Sequence, residues 1–187
     1  MCLILKLFSA VFGFTVFGLA ANGDTPLGFR PTGRDYGCNP YQVLSTYATA
    51  IKAGSAVEKV TSGYVELASG GDTAILGVAA NAIAASTGGT LWVYDDPMQR
   101  FIIQDNAAET LTIAAEGANV DFTDESSSTD ESNMELAADG ITASTANCRI
   151  MGKAKTRYPD GEENDYGDNC DWTVMFNEHT LKSTTGI

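Results

Sequence analysis

The chain has 187 residues and a mass of 19.7 kDa, which is room for one ordinary domain with or without an arm. Its 24 acidic against 11 basic residues give a formal charge of −13, which argues against general nucleic-acid binding and against docking on anionic lipid, since both need cations. Nineteen Gly and five Pro disfavour a helical bundle, and a single His removes most His-based chemistry.

Residues 1–20 are a separate object. They contain one charge, Lys6, so residues 21–187 hold 10 basic and 24 acidic groups and carry −14. A basic residue, an apolar run from Leu7 and small residues at Gly18 and Ala20 fit a secretory signal. A membrane or lipid-proximal anchor is a second reading, although the run from Leu7 to Ala20 is shorter than the ~20 apolar residues of a spanning helix. The third is an arm buried against partner subunits. Leu3, Leu5, Phe8, Phe12, Phe14 and Phe17 in water would form an apolar patch of a kind soluble proteins rarely expose. The arm is therefore the expectation, with those six residues as partner contacts.

Residues 21–42 are rich in Gly, Pro, Asn and Asp and have no period. Pro26, Pro31 and Pro40 hold the preceding residues extended, and an extended connector is expected. The remainder, 43–187, is expected to be a β-rich knob. Residues 47–60 alternate apolar and polar around Gly54, with a helical turn competing at 55–60. Residues 64–68 and 74–80 flank a Ser-Gly-Gly-Asp turn. A second helical turn competes at 81–87. Residues 91–95 and 100–105, separated by Asp96-Pro97-Met98-Gln99, give the strongest hairpin signal. Residues 109–115 and 118–122 read as further strands. Residues 148–154 and 171–179 close the domain, the last with Trp172, Val174 and Phe176 on one face by period two. The pattern predicts an all-β fold: a compact β-sandwich or β-barrel of short antiparallel strands with an extended N-terminal arm. Two acidic stretches, 121–140 and 158–171, are expected to be long exposed loops.

The search for chemistry finds little. The four cysteines, Cys2, Cys38, Cys148 and Cys170, lack a C-x-x-C spacing, so scattered buried thiols are expected, with a Cys148–Cys170 disulfide as the lesser alternative. A calcium loop begun at Asp160 breaks at Asp165, where Gly is required, and at Asp171, where Glu is required. Asp95 and Asp96 fall at a turn where Asp is expected for structural reasons. His179 has no G-x-S-x-G partner and reads as a structural residue. No phosphate-cradling or dinucleotide-binding loop is present. The expectation is no catalytic residue, no metal and no cofactor. Lys153, Lys155 and Arg157 alternate and would share one strand face, either as a solvated edge or as a docking patch for an acidic partner that Arg30 and Arg34 could join.

Several segments resemble the head decoration, or cement, proteins of tailed bacteriophages: residues 21–33 (ANGDTPLGFRPTG), 48–60 with 74–80, WVYDDPMQRFIIQDN (92–106), CRIMG (148–152) and WTVMFNEHTLKSTTGI (172–187). The resemblance implies a non-enzymatic β-knob, often trimeric, that binds the outside of an assembled capsid at junctions between major-capsid subunits. It implies a virion location after synthesis in bacterial cytoplasm, a compartment that also suits unpaired cysteines. The apolar N-terminus and the acidic stretch 124–139 depart from the family pattern. The alternative reading is a secreted or cell-surface β-domain binding calcium or carbohydrate, with residues 1–20 as its signal peptide.

Overall fold

A computed structural model describes residues 22–33, 37–127, 129–156 and 163–182. In chain order the strands are β1 (Arg30–Thr32), β2 (Asn39–Val43), β3 (Ala56–Lys59), β4 (Val65–Leu67), β5 (Ile75–Ala79), β6 (Gly89–Tyr94), β7 (Arg100–Gln104), β8 (Asn119–Val120), β9 (Cys148–Lys153) and β10 (Asp171–Phe176). They form two five-stranded antiparallel sheets packed as a sandwich. Sheet A has the order β1-β7-β10-β9-β8 and sheet B the order β2-β6-β5-β3-β4. The all-β expectation is met, and the sandwich is the form it takes.

Period-two alternation builds the main core. Trp172, Val174 and Phe176 of β10 point inward with Phe101 and Ile103 of β7 and with Cys148 and Ile150 of β9, against Ala56, Ile75 and Val78 of sheet B. Phe29 stands among Phe101, Phe122 and Phe176 at centroid distances of 6.0, 5.5 and 5.0 Å. β5 is buried along its whole length because sheet B has a second apolar face. Leu76, Leu91, Val93, Val57 and Val65 fill that face beneath Ile51, Tyr47 and Ile83. The segments expected to compete as helical turns resolve into β3 and into turns around a bridge between Ile51 and Ile83.

Five expectations change. The described parts of the connector, 22–33 and 37–42, are extended but not separate. They contribute β1 to the edge of sheet A and β2 to the edge of sheet B, and they bury Phe29, so the core begins well before residue 43. Residues 91–95 and 100–105 are strands but not a hairpin: β6 pairs with β2 and β5, whereas β7 pairs with β1 and β10. Residues 95–99 are the corner where the chain changes sheets. The Gln99 amide spans it by donating to the carbonyls of Thr32 and Arg100. Residues 109–115 end in a single 3-10 turn, Ile113–Ala115, started by the Thr112 side chain, which accepts from the Ala114 N–H. The stretch 121–140 is a strap rather than a free loop. Phe122, Ser132, Met134, Leu136 and Ala138 are buried, Glu131 is exposed, and Asn133 and Glu135 are half-buried. Its backbone bonds to Gln104 and Asn106 on one side and to Ala53 on the other. In the second acidic stretch, Asn164, Cys170 and Asp171 are buried.

Candidate functional site

A buried polar assembly lies where β7 ends and β10 begins. Asp105 is fully buried, and its carboxylate accepts from the N–H groups of Ala107, Asn169 and Cys170 and from the Trp172 indole, at 3.1, 3.0, 3.2 and 2.8 Å. Burial raises its pKa, and the four donors oppose the rise by favouring the ionised form. Asn164 ties the next residue in, accepting from the Asp171 N–H and donating to the carbonyls of Ala154 and Asp171. The Asp105 and Asn164 oxygens accept from the chain's own backbone N–H groups and from the Trp172 indole, so the assembly fixes the start of β10. Cys170 lies inside it as a free thiol whose pKa is pushed up to about 12 by burial and by the Asp105 charge. Cys148 is also free, and burial raises its pKa well above the ordinary thiol value, which favours the protonated thiol.

The cations nominated from the sequence part company. Arg30 donates to the Asp171 carboxylate at 2.7 Å and is held within the chain. The β9 strand carries a bulge opposite Thr173/Val174, which resets its alternation. Lys153 therefore sits opposite Trp172, paired with Asp165 at 3.1 Å and lying 4.7 Å from the Tyr166 ring centre. Lys155 is exposed and lies beyond the end of β9, so no strand aligns it with Lys153. Arg34, Arg157 and the six apolar residues Leu3, Leu5, Phe8, Phe12, Phe14 and Phe17 lie outside the described residues.

Two other arginines, which the sequence reading passed over, share the outer face of sheet A. Arg100 on β7 pairs with Thr32, and Arg149 on β9 pairs with Met175 on one side and Asn119 on the other. Because Val174 pairs with Phe101, the next outward residues, Met175 and Arg100, also lie side by side. One cross-strand row thus reads Thr32, Arg100, Met175, Arg149, Asn119. The adjacent row carries Arg30, Ile102 and Thr173. A shallow cavity of about 390 Å³ opens at the β8 end, lined by Gly117, Ala118, Asn119, Ile141, Thr142, Ala143 and Arg149. The signal for this face was present in the sequence, since Arg100 and Arg149 occupy outward positions of strands that the alternation itself defines.

His179 is buried. Its Nδ1 accepts from the Leu181 N–H at 3.1 Å, and Nε2 is buried without a hydrogen-bond partner among the described residues. Burial lowers its pKa to about 4, aided by the nearby Lys182 charge and opposed by Asp95 and Asp96. Asp95 is occupied by the Asn39 amide and the Tyr41 hydroxyl. Among the described residues, no three His, Cys, Asp or Glu side chains gather into a metal-binding group, and no helix is long and apolar enough to cross a membrane. No family model, no curated protein and no solved structure matches the chain.

Proposed function

We propose that the chain is a virion structural protein of the decoration or cement kind. It binds the outer surface of an assembled phage head at junctions between major-capsid subunits and stabilises the shell. One observation carries the reading: the segments that resemble that family form the sandwich's frame. Within the described residues they supply Phe29, β1, β3, β5, half of β6, the sheet-changing corner, β7, most of β9 and most of β10. A likeness spread over the load of the core is a likeness of the whole knob, whereas one confined to loops would have little bearing on it.

The mechanism is mass action without catalysis. A protein that binds the assembled shell and not its dissociated subunits stabilises the shell by RT ln(1 + [L]/Kd). Residues 1–20 are the proposed arm, and self-association, with a homotrimer as the expected form, raises avidity by placing several arms at one junction. Each of the six large apolar residues contributes about 1.5–3 kcal/mol if fully buried, offset by about 1–2 kcal/mol per residue of backbone ordering.

The test compares the full chain with a chain lacking residues 1–20 by thermal melting and by co-sedimentation with expanded heads. The shortened chain is expected to keep its melting transition and to bind heads more weakly. Equal binding removes the arm from the interface, and a full chain that ignores heads refutes the decoration reading.

A further inference from the structure

We infer that the outer face of sheet A is the partner-binding face of the knob, and that it engages a protein surface presenting carboxylates around an apolar patch. The inference rests on the decoration reading and names the side of the molecule that meets the shell.

The first ground is charge. In a chain of −13 with 11 cations, Arg30, Arg100 and Arg149 stand within two adjacent rows of one sheet face. Arg30 is answered by Asp171, but neither Arg100 nor Arg149 has a hydrogen bond or ion pair from its guanidinium to any described residue, and both are exposed. Two strand spacings separate them across β10, about 10 Å, a span that two carboxylates on one partner element can match. Arginine placed this way forms bidentate, directional pairs with carboxylates.

The second ground is what lies between and beside them. Met175 sits between the two arginines, Ile102 and Thr173 occupy the next row, and the bulge residue Met151 stands 40% exposed on β9. Met and Arg are enriched at protein interfaces, and an apolar centre flanked by charge is the ordinary anatomy of one. The cavity beside Arg149 adds relief at the β8 end, where an inserted acidic side chain would meet that guanidinium and the polar atoms of Asn119 and Thr142. A nucleic acid is disfavoured, because two free cations around an apolar centre, on a strongly acidic body, cannot track a phosphate backbone.

The experiment is co-sedimentation of the full-length protein with purified expanded heads across a salt series. It compares the wild type, Arg100→Glu/Arg149→Glu, Met175→Asp, and a charge-matched control, Lys52→Glu/Lys59→Glu, with Lys59 on sheet B and Lys52 in the segment that precedes β3. The arginine pair is exposed, so its double variant is expected to melt like the wild type. It is expected to bind about tenfold more weakly at low salt, with the gap narrowing as salt rises. Met175→Asp is expected to bind weakly and the lysine control normally. Equal binding by wild type and arginine variant overturns the inference and leaves the decoration reading standing, whereas a wild type that ignores heads removes both. If the arginine variant instead loses self-association in sedimentation velocity, the occupant is a second copy; if it loses binding to duplex DNA, the occupant is nucleic acid; if deleting residues 1–20 restores its head binding, the occupant is the chain's own N-terminal segment. Each of these three results also overturns it.

Discussion

Replacing Gly28 by Ala tests how the N-terminal segment is seated. Gly28 has φ +61°, and a Cβ there would lie 2.5 Å from the Ser132 Cβ, 2.6 Å from the Ser132 Oγ and 2.6 Å from the Gly54 carbonyl oxygen. Three chain segments cross at this point: residues 27–29, the turn at Gly54, and the strap. A left-handed backbone costs a non-Gly residue about 1–2 kcal/mol, and forcing a methyl into a filled contact adds about 1–3 kcal/mol. Gly63 supplies the control, because it also has positive φ, at +88°, with nothing within 4 Å of its would-be Cβ. Gly28→Ala is thus expected to lose about 2–5 kcal/mol and Gly63→Ala only the backbone share, about 1–2 kcal/mol. The assay is urea unfolding followed by tryptophan fluorescence, in which buried Trp172 is the reporter. Adding Ser132→Gly to Gly28→Ala removes two of the three clashing atoms and is expected to restore part of the loss. A Gly28→Ala protein no less stable than Gly63→Ala would refute the idea that the three segments meet without spare room.

Asp105→Asn turns an amide toward four converging donors and is expected to cost about 3 kcal/mol or more in the same urea titration. His179 is neutral in the fold down to about pH 4 and protonates near 6.5 when unfolded, so its contribution is complete above pH 6.5 and is lost as pH falls toward 4. At most about 3 kcal/mol is at stake, and His179→Gln should flatten that limb of the pH–stability curve. Glu135 acts in the opposite sense. Burial and the charges of Asp24 and Asp105 raise its pKa to about 7, so stability is lost as pH rises from about 4.5 to 7, and Glu135→Gln should remove that loss. Cys148 and Cys170 should stay silent to Ellman's reagent in the native protein and react once it is unfolded.

Most strands were legible because their alternation is strong: β5, β7, β9 and β10 fall within segments marked by apolar and β-branched runs, and β6 overlaps its segment from Leu91 to Tyr94. Pairing was not legible. Alternation says which face a residue takes and nothing about which strand lies beside it, so a Pro-containing turn read as a hairpin where Gln99 instead bridges a corner between sheets. The strap misled for a different reason. Its charge density hid a period-two pattern, Ser132, Met134, Leu136 and Ala138 buried with Glu131 exposed and Asn133 and Glu135 half-buried, which the sequence contains in full. The connector hid one decisive residue, since a lone Phe29 between Gly28 and Arg30 gives no periodic signal, yet it fills the centre of the aromatic cluster. Lys153 and Lys155 do not share a strand face, because β9 ends at Lys153 and a bulge just before it breaks the alternation on which the sequence pattern relied. Asp105 could not be found at all, because its four donors come from residues 2 to 67 positions away.

The place of β10 also governs how the molecule comes together. It lies between β7 and β9, yet it follows every other strand of sheet A in the chain. Until it arrives, sheet A is two fragments, β1 with β7 and β8 with β9, which share no ladder. Trp172, Val174 and Phe176 are missing from the space that Phe29, Phe101 and Ile150 line. Completing sheet A therefore requires the long-range β7–β10 pairing, from Asp171 opposite Gln104 to Val174 opposite Phe101, and non-local pairing of this kind slows folding toward about the millisecond-to-second range. A nascent chain in this waiting state exposes two open strand edges with an apolar trough between them, the kind of surface that associates with its neighbours. The final strand is then both the keystone of the sandwich and the step that ends its vulnerability to aggregation.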